Sequence, residues 1–453
     1  MTDERKRFSR SQPEGYGLMS YLEKGEVLSG RSAAGTVPPD TEVIEVEIGP
    51  DNRLNAAPAL EKKLGLEPGA RLEFAVSRGR IEVLPNIHSL NRLYVEPTSR
   101  CNLTCRTCIR NTWEESMGDM DPTLFDRLAG RLGRFPHLES VMFAGFGEPL
   151  AHPGIVSMVR KVKELGLRAE ITTNGTMLDE PMLRALLASR LDVLWVSIDG
   201  TSEESYDDIR PGGGFGRVIE NLERVRGLNG QAGHFLEVGI AFVLTRTNID
   251  DVGRLERMAR SLGARWVMVS HVLPYTEAME KEMLCLQTLT LETFAHSPGR
   301  VEVILPRMDI TPFTRDAVFA LLQGYENLTI MRNKMSAETR RCRFIRERTT
   351  FVRWDGLVAP CMGLLHTHRT YLYGLERRVR SHSFGDIRTD DLDAVWASPA
   401  YREFREKVKK FDFSPCHVCG GCSLLERNEE DCYGNTFPAC GGCLWAQGVI
   451  QCP

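Results

Sequence analysis

The chain carries thirteen cysteines in 453 residues, and they are not scattered. Cys101, Cys105 and Cys108 stand together, Cys285 is alone, and Cys342, Cys361, Cys416, Cys419, Cys422, Cys432, Cys440, Cys443 and Cys452 crowd the last quarter. Core thiols serve as small apolar side chains and show no such clustering; metal ligation requires it. Disulfides are a poor alternative. No apolar run approaches the ~18–20 residues that cross a bilayer, and the charged start MTDERKRFSRSQPEGYG has no apolar h-region. The expected location is the cytoplasm, where thiols stay reduced. Cys285 reads as an ordinary buried thiol.

The first group sits in EPTSRCNLTCRTC, giving C-x3-C-x2-C. Three thiolates on one tight loop can hold three irons of a [4Fe–4S] cube and leave the fourth iron open. An open iron can take a substrate or cofactor as a chelate. A zinc knuckle lacking one ligand, or three chance thiols, explains the spacing less well.

The elements around that loop form a regular alternation. Apolar, β-rich segments fall at 93–98, 141–146, 168–174, 193–200, 236–244 and 265–272. Helix-like stretches lie between them, at 122–132, 155–165, 180–188, 217–228 and 250–262. Six β-then-α units with such crossovers imply a parallel sheet with helices on its outer face. Six are too few for a closed eight-fold barrel, so the expected α/β fold is a partial (β/α)6 barrel with its chemistry at the strand C-terminal ends. Polar or glycine-rich groups stand at those ends. FAGFGEPL supplies Gly145, Gly147 and Glu148, TTNG supplies Asn174, VSIDG supplies Ser197 and Asp199, and Arg210 follows in SYDDIRPGGGF. Each alone is a weak signal, since Asn-Gly and Asp-Gly are usually turns.

The cysteine loop after the first strand, followed by these groups in order, resembles the radical S-adenosylmethionine (SAM) superfamily. The resemblance implies that the open iron binds SAM, which is cleaved reductively to methionine and a 5′-deoxyadenosyl radical. It also implies cofactor-binding roles for Gly145, Gly147, Glu148, Asn174, Ser197, Asp199 and Arg210. Two positions depart from the family pattern. Thr107 stands where an aromatic residue usually precedes the third cysteine, and Phe146 separates two glycines that are usually adjacent.

Among the later cysteines, Cys342 is followed by TTFVRWDGLVAPC, in which Gly356 and Cys361 form G-x4-C. This resembles the SPASM extension of radical SAM enzymes, which implies two auxiliary [4Fe–4S] clusters held among Cys342, Cys361, Cys416, Cys419, Cys422, Cys432, Cys440, Cys443 and Cys452. The downstream spacing departs from the usual SPASM run. Zinc remains an alternative, because Cys416, Cys419, Cys440 and Cys443 form C-x2-C-x20-C-x2-C, close to a zinc ribbon. Cys452 is expected to close an auxiliary cluster, with Cys443 as the alternative last ligand.

Five regions follow: a flexible leader over 1–38, with one short helix near 18–28; a β module over 39–88; the radical SAM barrel over 89–290; a helical linker over 291–340; and the Cys-rich domain over 341–453. The module reads as a strand, a short helix and a hairpin turning at Arg78–Gly79, and resembles the AbrB/SpoVT swapped-hairpin fold. Within the Cys-rich domain, 383–387 reads as a short strand and 392–408 as one amphipathic helix. From residue 40 onward the chain resembles the radical SAM maturases of tungsten-dependent aldehyde ferredoxin oxidoreductases. That implies action on a tungstopterin cofactor or its oxidoreductase, with electrons from a low-potential donor such as ferredoxin or flavodoxin. The runner-up is a maturase of a ribosomally made peptide. A redox-sensing DNA regulator fares badly, because residues 43–85 hold six Lys/Arg against seven Asp/Glu and a DNA face needs a basic excess. The overall formal charge of −4 likewise excludes a nucleic-acid glove. The module is read instead as a docking element or the seam of a homodimer.

Overall fold

The computed structural model describes residues 86–229, 236–285, 342–372, 374–414 and 423–453, together with short strand segments and a few single residues elsewhere. The expected leader, its helix and the short helix of the β module lie outside the described residues. The chain divides into two compact units at Leu84/Pro85.

The first unit contributes strands β1 (Glu47–Ile48) and β2 (Leu54–Asn55), which pair antiparallel. Strands β3 (Glu73–Ser77) and β4 (Arg80–Leu84) pair antiparallel, with Ser77 opposite Arg80; the expected turn residues Arg78 and Gly79 lie outside the described residues.

The second unit is built on one sheet. Strands β5 (Arg92–Val95), β6 (Ser140–Phe143), β7 (Arg168–Thr173), β8 (Val193–Ser197), β9 (Glu237–Leu244) and β10 (Trp266–His271) occupy the six expected segments. Each is parallel to its sequence neighbour. All four residues of β6 are buried, as expected of a parallel sheet covered on both faces. Helices α1 (Pro122–Leu132), α2 (Ile155–Glu164), α3 (Glu180–Ala188), α4 (Glu203–Ile209), α5 (Phe215–Asn229) and α6 (Leu255–Ser261) fill the crossovers. Their starts are explicit in the sequence. Asp121 accepts from the Thr123 amide beside Pro122, and Asp179 accepts from the Met182 amide, each satisfying an orphan donor of the first turn.

The sheet is larger than six strands. Strands β11 (Glu302–Leu305) and β12 (Leu328–Ile330) extend it in parallel beyond β10, inside the stretch read as a helical linker. At four and three residues, these strands are too short for a period to stand out. On the other edge, β13 (Thr349–Val352) runs parallel to β5 with Phe351 opposite Tyr94. Their rings stack at 4.3 Å. Strand β14 (Leu357–Ala359) returns antiparallel to β13. The turn between them holds Gly356 at φ +92°, a conformation glycine alone adopts without strain.

The Cys-rich domain is therefore an outgrowth of the barrel sheet. It adds a hairpin, β15 (His368–Leu372) with β16 (Leu375–Val379), and a short edge strand, β17 (Gly385–Asp386), beside β14. The single helix expected over 392–408 is two, α7 (Leu392–Ala397) and α8 (Pro399–Lys410). Pro399 has no N–H to continue a ladder, and Ser398 caps the new helix through the Tyr401 amide.

Candidate active site and iron–sulfur centres

The strand ends of the barrel surround a chamber of about 270 Å³. Cys101, Cys105 and Cys108 line it together with Thr107, Gly145, Gly147, Glu148, Asn174, Ser197 and Arg210. Of the seven strand-end residues singled out from the sequence, only Asp199 is absent from the lining.

The cysteine loop is shaped by its own backbone bonds. The Cys108 amide donates to the Cys105 carbonyl at 3.1 Å, and the Arg106 amide to the Ile209 carbonyl at 2.8 Å. Asn111 Nδ2 and Arg110 Nη2 donate to the carbonyls of Cys105 and Leu103. The loop after β6 locks against it, because the Glu148 amide donates to the Arg100 carbonyl at 2.8 Å. A Cβ on Gly147 would lie 2.1 Å from the Thr98 carbonyl oxygen, so only glycine allows the approach.

Two of the strand-end residues make buried hydrogen bonds within the protein. Glu148 is buried, and its carboxylate accepts from the Leu150 amide, Thr173 Oγ1 and the Asn174 amide. It organises the end of β7. Burial pushes its pKa up despite those donors. Asp199, fully buried, accepts from Arg210 Nε at 2.7 Å and from the Val243 amide at 2.8 Å. It aims the Arg210 guanidinium, whose Nη1 lies 3.8 Å from Cys105 Sγ. Burial alone would lower the Arg210 pKa; Asp199 and then Cys105 hold it above its ordinary value. A fixed cation beside Cys105 favours the thiolate that metal ligation needs. In the metal-free chain, burial pushes Cys105 up to about 11 and raises Cys101 too. Metal uptake therefore releases protons. Asn174 Nδ2 approaches Cys101 Sγ at 3.7 Å.

Behind the loop lies a network that the sequence reading missed. His366 is buried, with Nε2 at 2.9 Å from Glu96 and Nδ1 at 2.8 Å from Glu115. Burial would lower its pKa, but Glu96 and Glu115 hold it raised. Burial would raise the Glu115 carboxyl; hydrogen bonds from His366 and the Thr367 amide bring it down to about 2. Trp113 stacks on the ring at 4.2 Å. This network ties the strand-end segment of β5 to the Cys-rich domain. Widely separated sequence partners hid it.

Cys342, Cys361, Cys440 and Cys443 line a second cavity of about 50 Å³, beneath the β15–β16 hairpin. Burial raises all four thiols, and neighbouring thiols raise Cys342, Cys361 and Cys440 further. Among the described residues, no three His, Cys, Asp or Glu side chains converge closely enough to hold a single metal ion. Four thiols around a cavity suit a cluster, whose corners spread its ligands. Cys452 does not line this cavity. It lines the barrel chamber, where Sγ accepts from Trp445 Nε1 at 3.4 Å. Cys432 is exposed, with Sγ 3.1 Å from Ser414 Oγ. Cys416, Cys419 and Cys422 lie outside the described residues.

The chamber also has a wall from the Cys-rich domain: Met362, Trp445, Ile450, Gln451, Cys452 and Pro453. Val449 accepts from the His271 amide, the Gln451 amide donates to Ser270 Oγ at 2.9 Å, and Tyr94 Oη donates to the Pro453 carbonyl at 2.6 Å.

Residues 95–259 match the radical SAM superfamily, and residues 342–423 match SPASM, an iron–sulfur cluster-binding domain. A tungsten-containing aldehyde ferredoxin oxidoreductase cofactor-modifying protein from Pyrococcus furiosus is 32% identical over 366 residues, 80% of this chain and 96% of that protein. The chain belongs to the radical SAM superfamily. A PqqA peptide cyclase from Gluconobacter oxydans is 29% identical over 184 residues, 40% of this chain and 49% of the cyclase. Two solved structures share the fold at 17% identity. Streptococcus suis SuiB bound to precursor peptide SuiA gives a TM-score of 0.51, covering 75% of this chain and 71% of that one. The protein anSMEcpe with bound AdoMet gives 0.50, covering 80% and 88%.

A radical SAM enzyme uses a [4Fe–4S] cluster and SAM, and its SPASM domain binds auxiliary iron–sulfur clusters. The residues present fit both requirements: three loop thiols face a chamber with room beside them, and four more enclose a small cavity. When bound, cluster and SAM supply a 5′-deoxyadenosyl radical. The chain's own residues present the three thiols, neutralise Cys105 through Arg210, and wall the chamber against water with apolar side chains including Phe146, Phe242, Met268 and Ile450. No described helix is long and apolar enough to cross a membrane.

Proposed function

We propose that this radical SAM enzyme matures or modifies a tungstopterin cofactor, or the aldehyde ferredoxin oxidoreductase that carries it. The observation carrying this reading is the 32% identity that extends over 96% of the Pyrococcus furiosus cofactor-modifying protein. Cys101, Cys105 and Cys108 hold the SAM-cleaving cluster. Gly145, Gly147, Asn174, Ser197 and Arg210 contact SAM, with Glu148 and Asp199 acting through the groups they position. Cys342, Cys361, Cys440 and Cys443 surround one auxiliary cluster, and Cys416, Cys419, Cys422 and Cys432 belong to a second. A low-potential donor of the ferredoxin or flavodoxin kind supplies electrons in the cytoplasm. The N-terminal hairpin is an AbrB-like element for docking or dimerisation.

The test is anaerobic reconstitution with a tungsten oxidoreductase expressed without this protein. Conversion of its cofactor or activation of the oxidoreductase, with 5′-deoxyadenosine formed in step, is the expected outcome. Peptide modification is the second reading, favoured by the similarity to the PqqA peptide cyclase. SAM consumption driven by a peptide, and not by the oxidoreductase, would replace the first reading with the second.

A further inference from the structure

One imidazole shares the four-thiol cavity. Side chains alternate between the two faces of the β15–β16 hairpin, and His368, Thr370, Arg377 and Val379 are those on the cavity side. His368 is 3% exposed. Its Nδ1 lies 2.9 Å from the His366 carbonyl oxygen. A carbonyl only accepts, so Nδ1 carries the proton and the neutral ring keeps a bare lone pair on Nε2. That atom is buried without a hydrogen-bond partner among the described residues. A backbone carbonyl on one ring nitrogen and an open position on the other is how proteins fix a histidine to bind metal.

We propose that His368 Nε2 ligates iron in the auxiliary cluster of this cavity, giving that cluster mixed cysteine–histidine ligation. The proposal rests on reading Cys342, Cys361, Cys440 and Cys443 as the thiols around that cluster. A bare lone pair facing thiolates and sulfides is repelled; facing iron it is a ligand. A cube has four iron corners, and the cavity offers five donors. The imidazole takes one corner and leaves one thiol as a neutral neighbour. Exchanging a thiolate for a neutral imidazole removes one negative charge, which raises the cluster's reduction potential.

The test uses the full chain carrying Cys101→Ala, Cys105→Ala and Cys108→Ala, reconstituted anaerobically so that only auxiliary clusters give a signal. Pulsed EPR of the reduced protein should show a strongly coupled nitrogen. Its pattern should change when the protein is grown on 15N-histidine, a control that needs no further substitution. In His368→Cys the coupling should vanish, and the midpoint potential of one cluster should fall. Adding Cys342→Ala and Cys361→Ala should remove about four irons per chain and the nitrogen signal with them. Unchanged iron in that last variant would mean that the cavity holds no cluster, and the reading beneath the proposal fails. Iron loss with no histidine coupling in the parent, or with coupling that survives His368→Cys, would overturn the ligation and leave the cluster standing.

Discussion

The two thiol sets differ in what surrounds them. Three loop thiols open onto a chamber of about 270 Å³ beside Asn174, Ser197 and Arg210, whereas four thiols close around about 50 Å³ lined mostly by apolar side chains. Metal sites follow the same division elsewhere: a catalytic site keeps a coordination position open, and a closed site holds structure or passes electrons. Counting cysteines does not separate the two. The space beside them does, along with the polarity of its lining.

The sharpest way to break this comparison is to remove the open set. Cys101→Ala, Cys105→Ala and Cys108→Ala together should abolish 5′-deoxyadenosine formation while auxiliary iron stays in place; surviving reductive SAM cleavage would reverse the assignment. Next in size is Arg210→Met. It strands the fully buried Asp199 carboxylate, and loss of one partner of a buried pair costs about 3–5 kcal/mol. Denaturant unfolding should register that cost, and Arg210→Lys should recover part of it.

The network joining the two regions gives a smaller effect with a pH signature. Glu115→Gln should destabilise the chain by about 1.5–3 kcal/mol near neutrality, the worth of hydrogen bonds to a charged group. Glu115 is held at about 2 against an ordinary 4.5, so its contribution is present above about 4.5 and disappears as the pH falls toward 2. His366 is held above 6.5, so its share is complete below that value and declines as the pH climbs through its raised pKa. The stability gap between wild type and variant should therefore be widest between about 4.5 and 6.5. A gap that is flat with pH would remove the ionic account. Ser197→Ala should weaken SAM binding by about 0.5–1.5 kcal/mol, one hydrogen bond, with iron content unchanged. Cys452→Ser should leave the iron of the four-thiol cavity untouched, because that thiol lines the chamber and not this cavity.

The barrel's strands and helices were readable because their signals are local. Apolar runs of strand length, Asp-Pro helix starts and glycines at strand ends all lie within a few residues of what they specify. The C-x3-C-x2-C loop was readable for the same reason. Grouping the later cysteines was not, since Cys342 and Cys361 meet Cys440 and Cys443 only through the fold. His366 and His368 carried no motif either; their roles depend on Glu96, Glu115 and the cavity, all distant in sequence or formed by packing. Glu148 and Asp199 could be placed at strand ends, but the buried bonds they make, to Thr173 and Arg210, form only in the fold. The two strands in the supposed linker show the opposite failure, in which runs of four and three residues are too short to read and are held by their neighbours in the sheet.

The wall formed by residues 445–453 sets an order of events. It follows the last thiols of the four-thiol cavity directly in the chain, and its Val449 and Gln451 are held by the end of β10. The stretch from Cys416 onward, rich in Gly, Asn and Cys, draws stability from the metal it binds. Until that region is loaded and folded, one side of the chamber is open to water, and a radical made there would meet solvent before substrate. Folding of that region would close this side of the chamber.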